Sequence, residues 1–348
     1  MGFDKRRDRM IKKATSLFGL LIVLSSCQTT PKEVVKEIHK EYVVRGEAQG
    51  TSYTIKYLGD SIAGIKHQMD SLLDDFDQSL STYVPTSLIS KFNQSDSIVI
   101  DENFKQVFIL SKEINKATLG AFDPSIGPLI RAWGFDYLAP QKMDSAKVDS
   151  LLAICGFESF RLEDSLLLKI KKQATLNFNA NAQGYSVDLM AKELDKRGIE
   201  NYYVELGGEL KVKGENKRGE KWMIGIDRPQ GKNLKRNLGA RISLKNKAMA
   251  TSGNYRKYYE VDGKRYSHTL NPKTGFPAEN SLLSATVIAA DCGTADAYAT
   301  AFMVMGRERA ISFLESHPEL SAYLISAAEG DGFETYYTPD LKNLIEEF

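Results

Sequence analysis

The segment from Ala250 to Gly306 constrains the fold more than any other part of the chain, because a predicted hairpin is followed there by a predicted helix. Short strands are predicted at 257–261 and 265–269, and the Asp262-Gly263 pair between them favours a hairpin turn. The hairpin would present His268 at a strand end beside a loop, where reactive side chains are common.

A helix is predicted from about Ala295, and it would place Asp296 and Thr300 on one face because they lie four residues apart. A carboxylate and a hydroxyl are hard oxygen ligands that suit Mg²⁺, an ion that usually takes only one or two carboxylates from protein. Taken alone, the pair favours a simpler interpretation, in which Asp296 interacts with the helix dipole and Thr300 is a half-buried side chain that only fills space in the packing.

Three further segments carry polar or aromatic candidates. Thr251-Ser252-Gly253 is predicted to form a tight loop whose hydroxyl and N–H groups face an anion, with an ordinary turn as the alternative. The asparagines and glycine of 177–184 stand at a helix entrance, where N–H groups either meet a negative ligand or simply cap the helix. Tyr83, in a Ser/Thr/Pro loop, either stacks on a planar ligand or anchors the loop.

The remaining pattern indicates an α+β fold of mostly antiparallel strands with packed helices, and no G-x-G-x-x-G unit supports a Rossmann fold. Helices are predicted at 61–78, 103–117, 145–152, up to about 197, from 295 and at 307–316. Strands are predicted at 50–58, within 160–170 as a pair, and at 201–204, 210–212, 222–226, 242–244, 284–289, 322–325 and 333–337.

Composition and charge exclude several classes of protein. With 348 residues, 42% of them hydrophobic, the chain can bury a substantial core in one domain or two. The whole chain carries a formal charge of +1 and residues 1–26 carry +4, so the remainder carries −3. A mildly acidic body argues against general binding of nucleic acid.

The first 26 residues have the layout of a secretory signal, with a basic start and an apolar run too short to span a bilayer. Leu24-Ser25-Ser26-Cys27 resembles the bacterial lipoprotein processing box, which predicts removal of 1–26 and lipidation of Cys27. The polar segment that follows, to residue 47, is predicted to be a tether. Cys155 and Cys292 would remain, either as a disulfide or as two buried thiols.

Six ordered motifs carry a resemblance to the FAD:protein FMN transferase (ApbE-like) family over essentially all of residues 48–340, leaving 341–348 as a C-terminal tail. The motifs are STYVPTSLISKFN (81–93), FDPSIGPLIRAWGF (122–135), NANAQGYSVD (179–188), VELGGEL (204–210), ATSGNYRKYY with RYSHTLNPKTG (250–275), and TADAYATAFMVMG (294–306).

The resemblance implies a single-domain lipoprotein enzyme facing the bacterial periplasm, anchored to the membrane by its lipid. It would use Mg²⁺ to cleave FAD and attach FMN through a phosphoester to a threonine of an acceptor flavoprotein, releasing AMP. The implied metal ligands are Asp296, Thr300 and the carbonyl of Ala182. The implied general base is His268.

The resemblance also implies a set of contacts to FAD. Many members have Lys where this chain has Gln183, so a contact to the diphosphate there would use a neutral amide. The implied FAD-binding residues are Tyr83, Ala121, Asp123, Gln183, Asp188, Glu205, Gly207, Gly208, Thr251, Ser252, Gly253 and His268.

Two other functions fit the same residues. With water as the acceptor, the enzyme would be an FAD pyrophosphatase that yields FMN and AMP. A lipoprotein that binds FAD without turnover is the second alternative, although storage would not require the base predicted at His268.

Overall fold

The computed structural model describes residues 40–135, 139–229, 238–254, 258–261, 264–267, 269–328 and 332–348. The predicted signal peptide, Cys27 and most of the tether lie outside these residues. No helix of the described part is both long and apolar enough to cross a bilayer.

Strands dominate the architecture, as the sequence predicts. The strands are β1 (Glu41–Ala48), β2 (Thr51–Leu58), β3 (Ser97–Val99), β4 (Phe160–Glu163), β5 (Leu166–Lys169), β6 (Tyr202–Leu206), β7 (Glu209–Lys213), β8 (Trp222–Asp227), β9 (Leu238–Leu244), β10 (Lys247–Gly253), β11 (Tyr258–Val261), β12 (Lys264–Ser267), β13 (Leu282–Ala289), β14 (Ser321–Ala327), β15 (Phe333–Tyr337) and β16 (Ile345–Glu347).

Helices form the rest of the regular structure. They are α1 (Ile65–Leu80), α2 (Leu88–Gln94), α3 (Glu102–Ala117), α4 (Gly127–Ala132), α5 (Ser145–Leu152), α6 (Ala182–Lys196), α7 (Cys292–Met305) and α8 (Arg307–Glu315).

The largest sheet contains eight strands in the order β1-β2-β6-β7-β10-β13-β14-β15. Every pairing between strands of the described residues is antiparallel, which confirms the predicted α+β class. Smaller sheets are formed by β11-β12, β16-β9-β8 and β3-β5-β4.

The central part of the large sheet is buried on both faces. Neighbouring residues of β10 show this, because Ala250 packs in the cluster that contains α7 while Met249 packs in the cluster that contains β8 and β9. Successive side chains of a strand point to opposite faces, so each face of β10 has its own neighbours. Which face a polar residue of β10 occupies therefore decides whether it can reach α7.

Helix α7 is the most deeply buried helix of the described chain. Its residues are apolar almost all round, as expected for a helix inside a core. Alanines 295, 297, 299 and 301 are each 0% exposed, and their small side chains allow close approach to the sheet and to α6. Asp291 caps the helix, since its side chain accepts a hydrogen bond from the N–H of Thr294 at 3.0 Å.

Two predicted boundaries are wrong. Residues 41–47 were expected to be tether, but they form β1, which pairs with β2 from Glu41↔Leu58 to Ala48↔Thr51. Residues 345–347, within the predicted tail, form β16 and pair with β9. Both are edge strands that carry exposed charged residues, so in sequence they look polar although each pairs along one side with a neighbouring strand.

Candidate active site

The site is built where α6 meets α7. The N–H of Gly184 donates to Oδ2 of Asp296 at 3.1 Å. A Cβ at residue 184 would lie 2.5 Å from the carbonyl oxygen of Cys292 and 2.8 Å from Cβ of Asp296. Only glycine fits this approach, so Gly184 sets how closely the two helices pack and where the carboxylate sits.

Asp296 is a buried carboxylate without a cationic partner among the described residues. Its side chain is 7% exposed, and burial raises its pKa to about 7 although the Gly184 N–H acts in the opposite direction. A buried carboxylate that lacks a cationic partner is stabilised when a positive charge binds beside it. This donor fits the predicted Mg²⁺, which needs few protein carboxylates.

Thr300 lies one helical turn after Asp296, and its hydroxyl is 3.2 Å from the hydroxyl of Ser252. The predicted shared face of α7 is therefore occupied by a carboxylate and a hydroxyl, with a second hydroxyl supplied by β10. No group of three or more His, Cys, Asp or Glu side chains that could hold a metal occurs among the described residues. The predicted ligand set has only one carboxylate, so it does not require such a group.

The predicted loop at 251–253 is wrong, because these residues are the end of β10. They pair with β13 as Thr251↔Thr286, Ser252↔Ala285 and Gly253↔Ser284. Thr251 lies on the same face as Met249, away from α7, and its hydroxyl is 2.8 Å from that of Thr286. Of the three residues, Ser252 is the one whose side chain is placed beside Thr300.

Ala182 is the first residue of α6, and its carbonyl oxygen accepts a hydrogen bond from the Ser186 hydroxyl at 3.0 Å. Nε2 of Gln49, in the β1–β2 turn, donates to that hydroxyl at 2.7 Å. As the carbonyl of the first helical residue, that of Ala182 also accepts the backbone N–H of Ser186, so both of its lone pairs have partners within α6. The metal-binding role of Ala182 stays a prediction.

The turn between β6 and β7 packs against the start of α6. Nε2 of Gln183 donates to the carbonyl of Leu206 at 3.2 Å, and a Cβ on Gly207 would overlap that amide nitrogen. Oε1 of Glu205 accepts the N–H of Gly208 at 2.8 Å. The predicted residues of the two motifs 179–188 and 204–210 are thus brought together, and glycine at 207 is required by φ of 64° and by this contact.

Asp188 joins three elements. One carboxylate oxygen accepts from Lys211 at 2.8 Å, and the other accepts from the N–H groups of Cys292 and Gly293 at 2.8 and 2.9 Å. Burial raises the pKa of Asp188 even though these partners favour its charged form. The residue ties α6 and β7 to the N-terminus of α7, and its predicted contact to FAD stays a prediction.

Ala121 and Asp123 lie in the loop between α3 and α4. Oδ1 of Asp123 accepts the N–H of Ser125 at 2.8 Å, and burial raises the pKa of Asp123 to about 6. The N–H of Asn177 donates to the carbonyl of Pro124 at 2.8 Å, so this loop is fixed to the segment that leads into α6. The structure therefore places both predicted residues in a loop that contacts the segment leading into α6.

One predicted residue is not brought into this group, and another lies outside the described part of the chain. Tyr83 is 60% exposed in the loop after α1, where its N–H donates to the Ser81 hydroxyl at 3.3 Å. His268 lies outside the described residues, although the hairpin before it is confirmed, with Tyr258↔Ser267 as its first pair. Cys155 and Cys292 are free buried cysteines, which settles the alternative left open by the sequence.

No sequence signal points to Lys211, and the predicted roles of Asn181 and Gly184 at the helix entrance do not include the contacts that the structure shows. Asn181 is 0% exposed, its Nδ2 donates to the Ser111 hydroxyl at 2.9 Å, and its Oδ1 has no hydrogen-bond partner among the described residues. A buried amide oxygen without a partner is uncommon in native proteins. The cluster of asparagines before α6 was the one available signal for it.

The fold and this arrangement define the class of protein. The model of the ApbE family matches residues 49–324, and the chain belongs to that family. The FAD:protein FMN transferase of Vibrio cholerae is 35% identical over 338 residues, which cover 94% of this chain and 97% of the relative. The FAD:protein FMN transferase of Haemophilus influenzae is 33% identical over 343 residues, which cover 94% of this chain and 96% of the relative.

Solved structures agree with the sequence relatives. The flavin transferase ApbE from Vibrio cholerae superimposes with a TM-score of 0.79 at 33% identity, covering 88% of this chain and 99% of that chain. The apo form of the flavinyl transferase ApbE from Pseudomonas stutzeri gives a TM-score of 0.79 at 31% identity, covering 88% and 97%.

Proposed function

We propose that this chain is an Mg²⁺-dependent FAD:protein FMN transferase that attaches FMN to a threonine of an acceptor flavoprotein and releases AMP. The observation that carries the proposal is the buried Asp296, held by Gly184 and followed one turn later by Thr300, in a chain of the ApbE family. The names of the relatives support FAD as the substrate and a protein as the acceptor.

The reaction replaces the phosphoanhydride bond of FAD with a phosphoester bond to the threonine. The threonine hydroxyl oxygen forms a bond to the FMN phosphorus, the bond from that phosphorus to the bridging oxygen of the FAD diphosphate breaks, and AMP leaves with that oxygen. The hydroxyl proton passes to a base, for which His268 is proposed. A bound Mg²⁺ would neutralise the charge that develops on the phosphate oxygens.

The residues of the site have separate roles in this proposal. Asp296 and Thr300, with the Ala182 carbonyl, would bind the metal ion. Gln183 and the N–H groups of the nearby turn would hold the diphosphate, because neutral amide donors bind phosphate oxygens at close range. Because Asp296 is buried, its attraction to a cation is screened less than it would be at the surface.

The proposal is tested with the full chain purified in detergent, FAD, Mg²⁺ and a flavoprotein domain that carries a candidate threonine. Transfer predicts an acceptor heavier by one FMN residue and one AMP released per modified acceptor, both measured by mass spectrometry. Free FMN with AMP and an unmodified acceptor would instead indicate a pyrophosphatase. Bound FAD that stays intact would indicate a binding protein, and either result would contradict the proposal.

We also propose that the chain is a lipoprotein of the bacterial envelope, anchored through Cys27 and facing the periplasm. The basic and apolar start of the sequence with Leu24-Ser25-Ser26-Cys27 supports this. Labelled fatty acid should be incorporated into the unmutated chain and not into Cys27→Ala. Equal labelling of the two would contradict the proposed anchor.

A further inference from the structure

The loop that follows β12 is closed by its own backbone. The N–H of Ala278 donates to the carbonyl of Thr269 at 2.8 Å, and the N–H of Asn271 donates to the carbonyl of Phe276 at 2.8 Å. A third bond joins the N–H of Gly275 to the carbonyl of Asn271 at 2.8 Å. Residues 269–278, called the β12 loop below, therefore form one compact unit.

Trp133, just after α4, fastens the β12 loop to the rest of the molecule. Its Nε1–H donates to the carbonyl of Gly275 at 2.8 Å, and its ring meets Phe276 edge to face, with centroids 5.9 Å apart. The Trp133 side chain is only 7% exposed. The hydrogen bond joins residues 142 positions apart in the chain, so it fixes tertiary rather than local structure.

Helix α5 holds the other side of this loop. A Cβ on Gly275 would lie 2.4 Å from Cγ1 of Val148, and φ at Gly275 is 71°. Leu270 is 4% exposed and packs in the same core cluster as Trp133 and Val148. Because packed interiors transmit small displacements, the position of the β12 loop follows that of the α4–α5 pair.

The same α4–α5 pair is joined to the loop that carries Asp123. Ser125 donates its N–H to Oδ1 of Asp123 at 2.8 Å and accepts the N–H of Gly156, just after α5, at 2.6 Å. Ile126 pairs with Thr175 in the segment that leads towards α6. One small core cluster thus connects the β12 loop with the loop that carries Asp123 and with the segment that leads towards α6.

We propose that Trp133 is a positioning residue for FMN transfer: its indole N–H, bound to the Gly275 carbonyl, fixes the β12 loop and the end of β12 relative to the loop carrying Asp123. The inference rests on the proposed function. In sequence, the proposed base His268 falls between Ser267 and Thr269, directly before this loop. An error of about 1 Å in the placement of reacting groups can cost about 10²-fold in rate.

The chain contains only two tryptophans, and the second provides a matched control. Trp222 in β8 is 5% exposed, and its Nε1–H donates to the carbonyl of Lys213 at 3.1 Å. Trp133→Phe and Trp222→Phe therefore remove the same atoms and the same kind of hydrogen bond from sites of similar burial. Trp222 packs with β9 and β7, in a core cluster separate from that of Trp133.

The experiment compares both variants with the unmutated full chain. It measures urea unfolding, the Kd for FAD, the single-turnover rate of FMN transfer with its pH profile, and the KM for the acceptor. We expect Trp133→Phe to slow transfer about 10–100-fold while the Kd for FAD changes less than about threefold, because the diphosphate site is left in place. Trp222→Phe should keep the rate within about twofold at a similar loss of stability.

A second variant covers the case in which Trp133→Phe does not fold. Phe276 is 38% exposed, so Phe276→Ala removes the ring contact without opening the core. It should slow transfer about three- to tenfold with normal FAD binding. Equal rates in the Trp133, Phe276 and Trp222 variants, or a rate that falls only in proportion to FAD binding, would overturn the inference. Absence of transfer by the unmutated chain would overturn the proposed function together with it.

Discussion

Gly184 and Asp296 are joined across the α6–α7 contact by a hydrogen bond of 3.1 Å that forms because residue 184 has no side chain. The two residues are 112 positions apart. The bond gives the buried carboxylate a fixed oxygen, Oδ2, and leaves the acid without a charged partner among the described groups. Helix packing and the proposed metal site therefore depend on the same glycine.

Gly184→Ala should destabilise the protein by about 1–3 kcal/mol, the usual cost of forcing an extra methyl into a packed interior. Alanine favours a helix by about 1 kcal/mol over glycine, so without the clash Gly184→Ala would stabilise the protein. The clash prevails because the nearest atom is the backbone carbonyl of Cys292, which moves only with α7. Urea unfolding measures the difference.

Gly332→Ala is the control for this change, because its added Cβ would meet nothing closer than 3.6 Å. Its free energy of unfolding should change by less than about 0.5 kcal/mol. If the two alanine variants unfold alike, α7 is not held against α6 as closely as the distances indicate.

Asp296→Asn should abolish stabilisation by divalent cations. A ligand at 100 times its Kd adds about 2.7 kcal/mol to the free energy of unfolding, and the neutral amide removes the charge that would bind it. Asp291→Asn is a matched control in the same helix, since Asn caps a helix about as well as Asp. The measurement is a titration with Mg²⁺ and Mn²⁺ by calorimetry and thermal unfolding. A normal Mg²⁺ response in Asp296→Asn would exclude this residue as a ligand.

The sequence predicted the α7 half of the site because its signal is local. Four-residue spacing in a helix is enough to place Asp296 and Thr300 together. The loop predicted at Ser252 rests on local residues, above all Gly253, whereas its place in β10 depends on pairing with Ala285, which is distant in sequence. The role of Gly184 could not be predicted for a similar reason, as it depends on which helix packs against α6.

The same limit explains the error at β1. Tyr42, Val43 and Val44 favour a strand, but Arg45 and Glu47 make the segment look like a polar linker. What decides its structure is the tight turn at Gln49 and Gly50, which folds β1 onto β2 with positive φ at both residues. The Gln49-Gly50 pair specifies this turn only weakly in sequence, whereas the charges of the segment are conspicuous.

The pair Asp188–Lys211 should show strong coupling. Its members are 2.8 Å apart and their side chains are 15% and 24% exposed, so removing one partner leaves a poorly solvated charge at a cost of about 3–5 kcal/mol. Asp188→Asn and Lys211→Met should each be destabilising, and the double variant should lose less than the sum of the two. Urea unfolding of the four proteins gives the coupling free energy.

Lys213–Asp195 provides the comparison on the same strand. This pair is 3.1 Å apart with side chains 31% and 43% exposed, and exposed pairs contribute about 0–1 kcal/mol. Similar coupling in the two cycles would mean that burial does not govern the Asp188 pair.

Asp123 should make stability depend on pH. Burial raises its pKa from 3.8 to about 6, so the folded state binds its proton more tightly than the unfolded state does. The free energy of unfolding therefore falls as pH rises from about 4 to about 6, and the loss persists above that range.

Asp123→Asn keeps an oxygen to accept the Ser125 N–H but cannot ionise. At about 1.4 kcal/mol per pKa unit it should be more stable than the unmutated chain by up to about 3 kcal/mol at pH 8. The advantage should shrink to about half at pH 5, because less of the Asp123 carboxyl is then ionised in the folded protein. Urea unfolding at pH 5, 6.5 and 8 measures this trend, with Asp144→Asn as the control, since that exposed acid caps α5 and Asn caps equally well. An advantage independent of pH would show that ionisation of Asp123 is not its source.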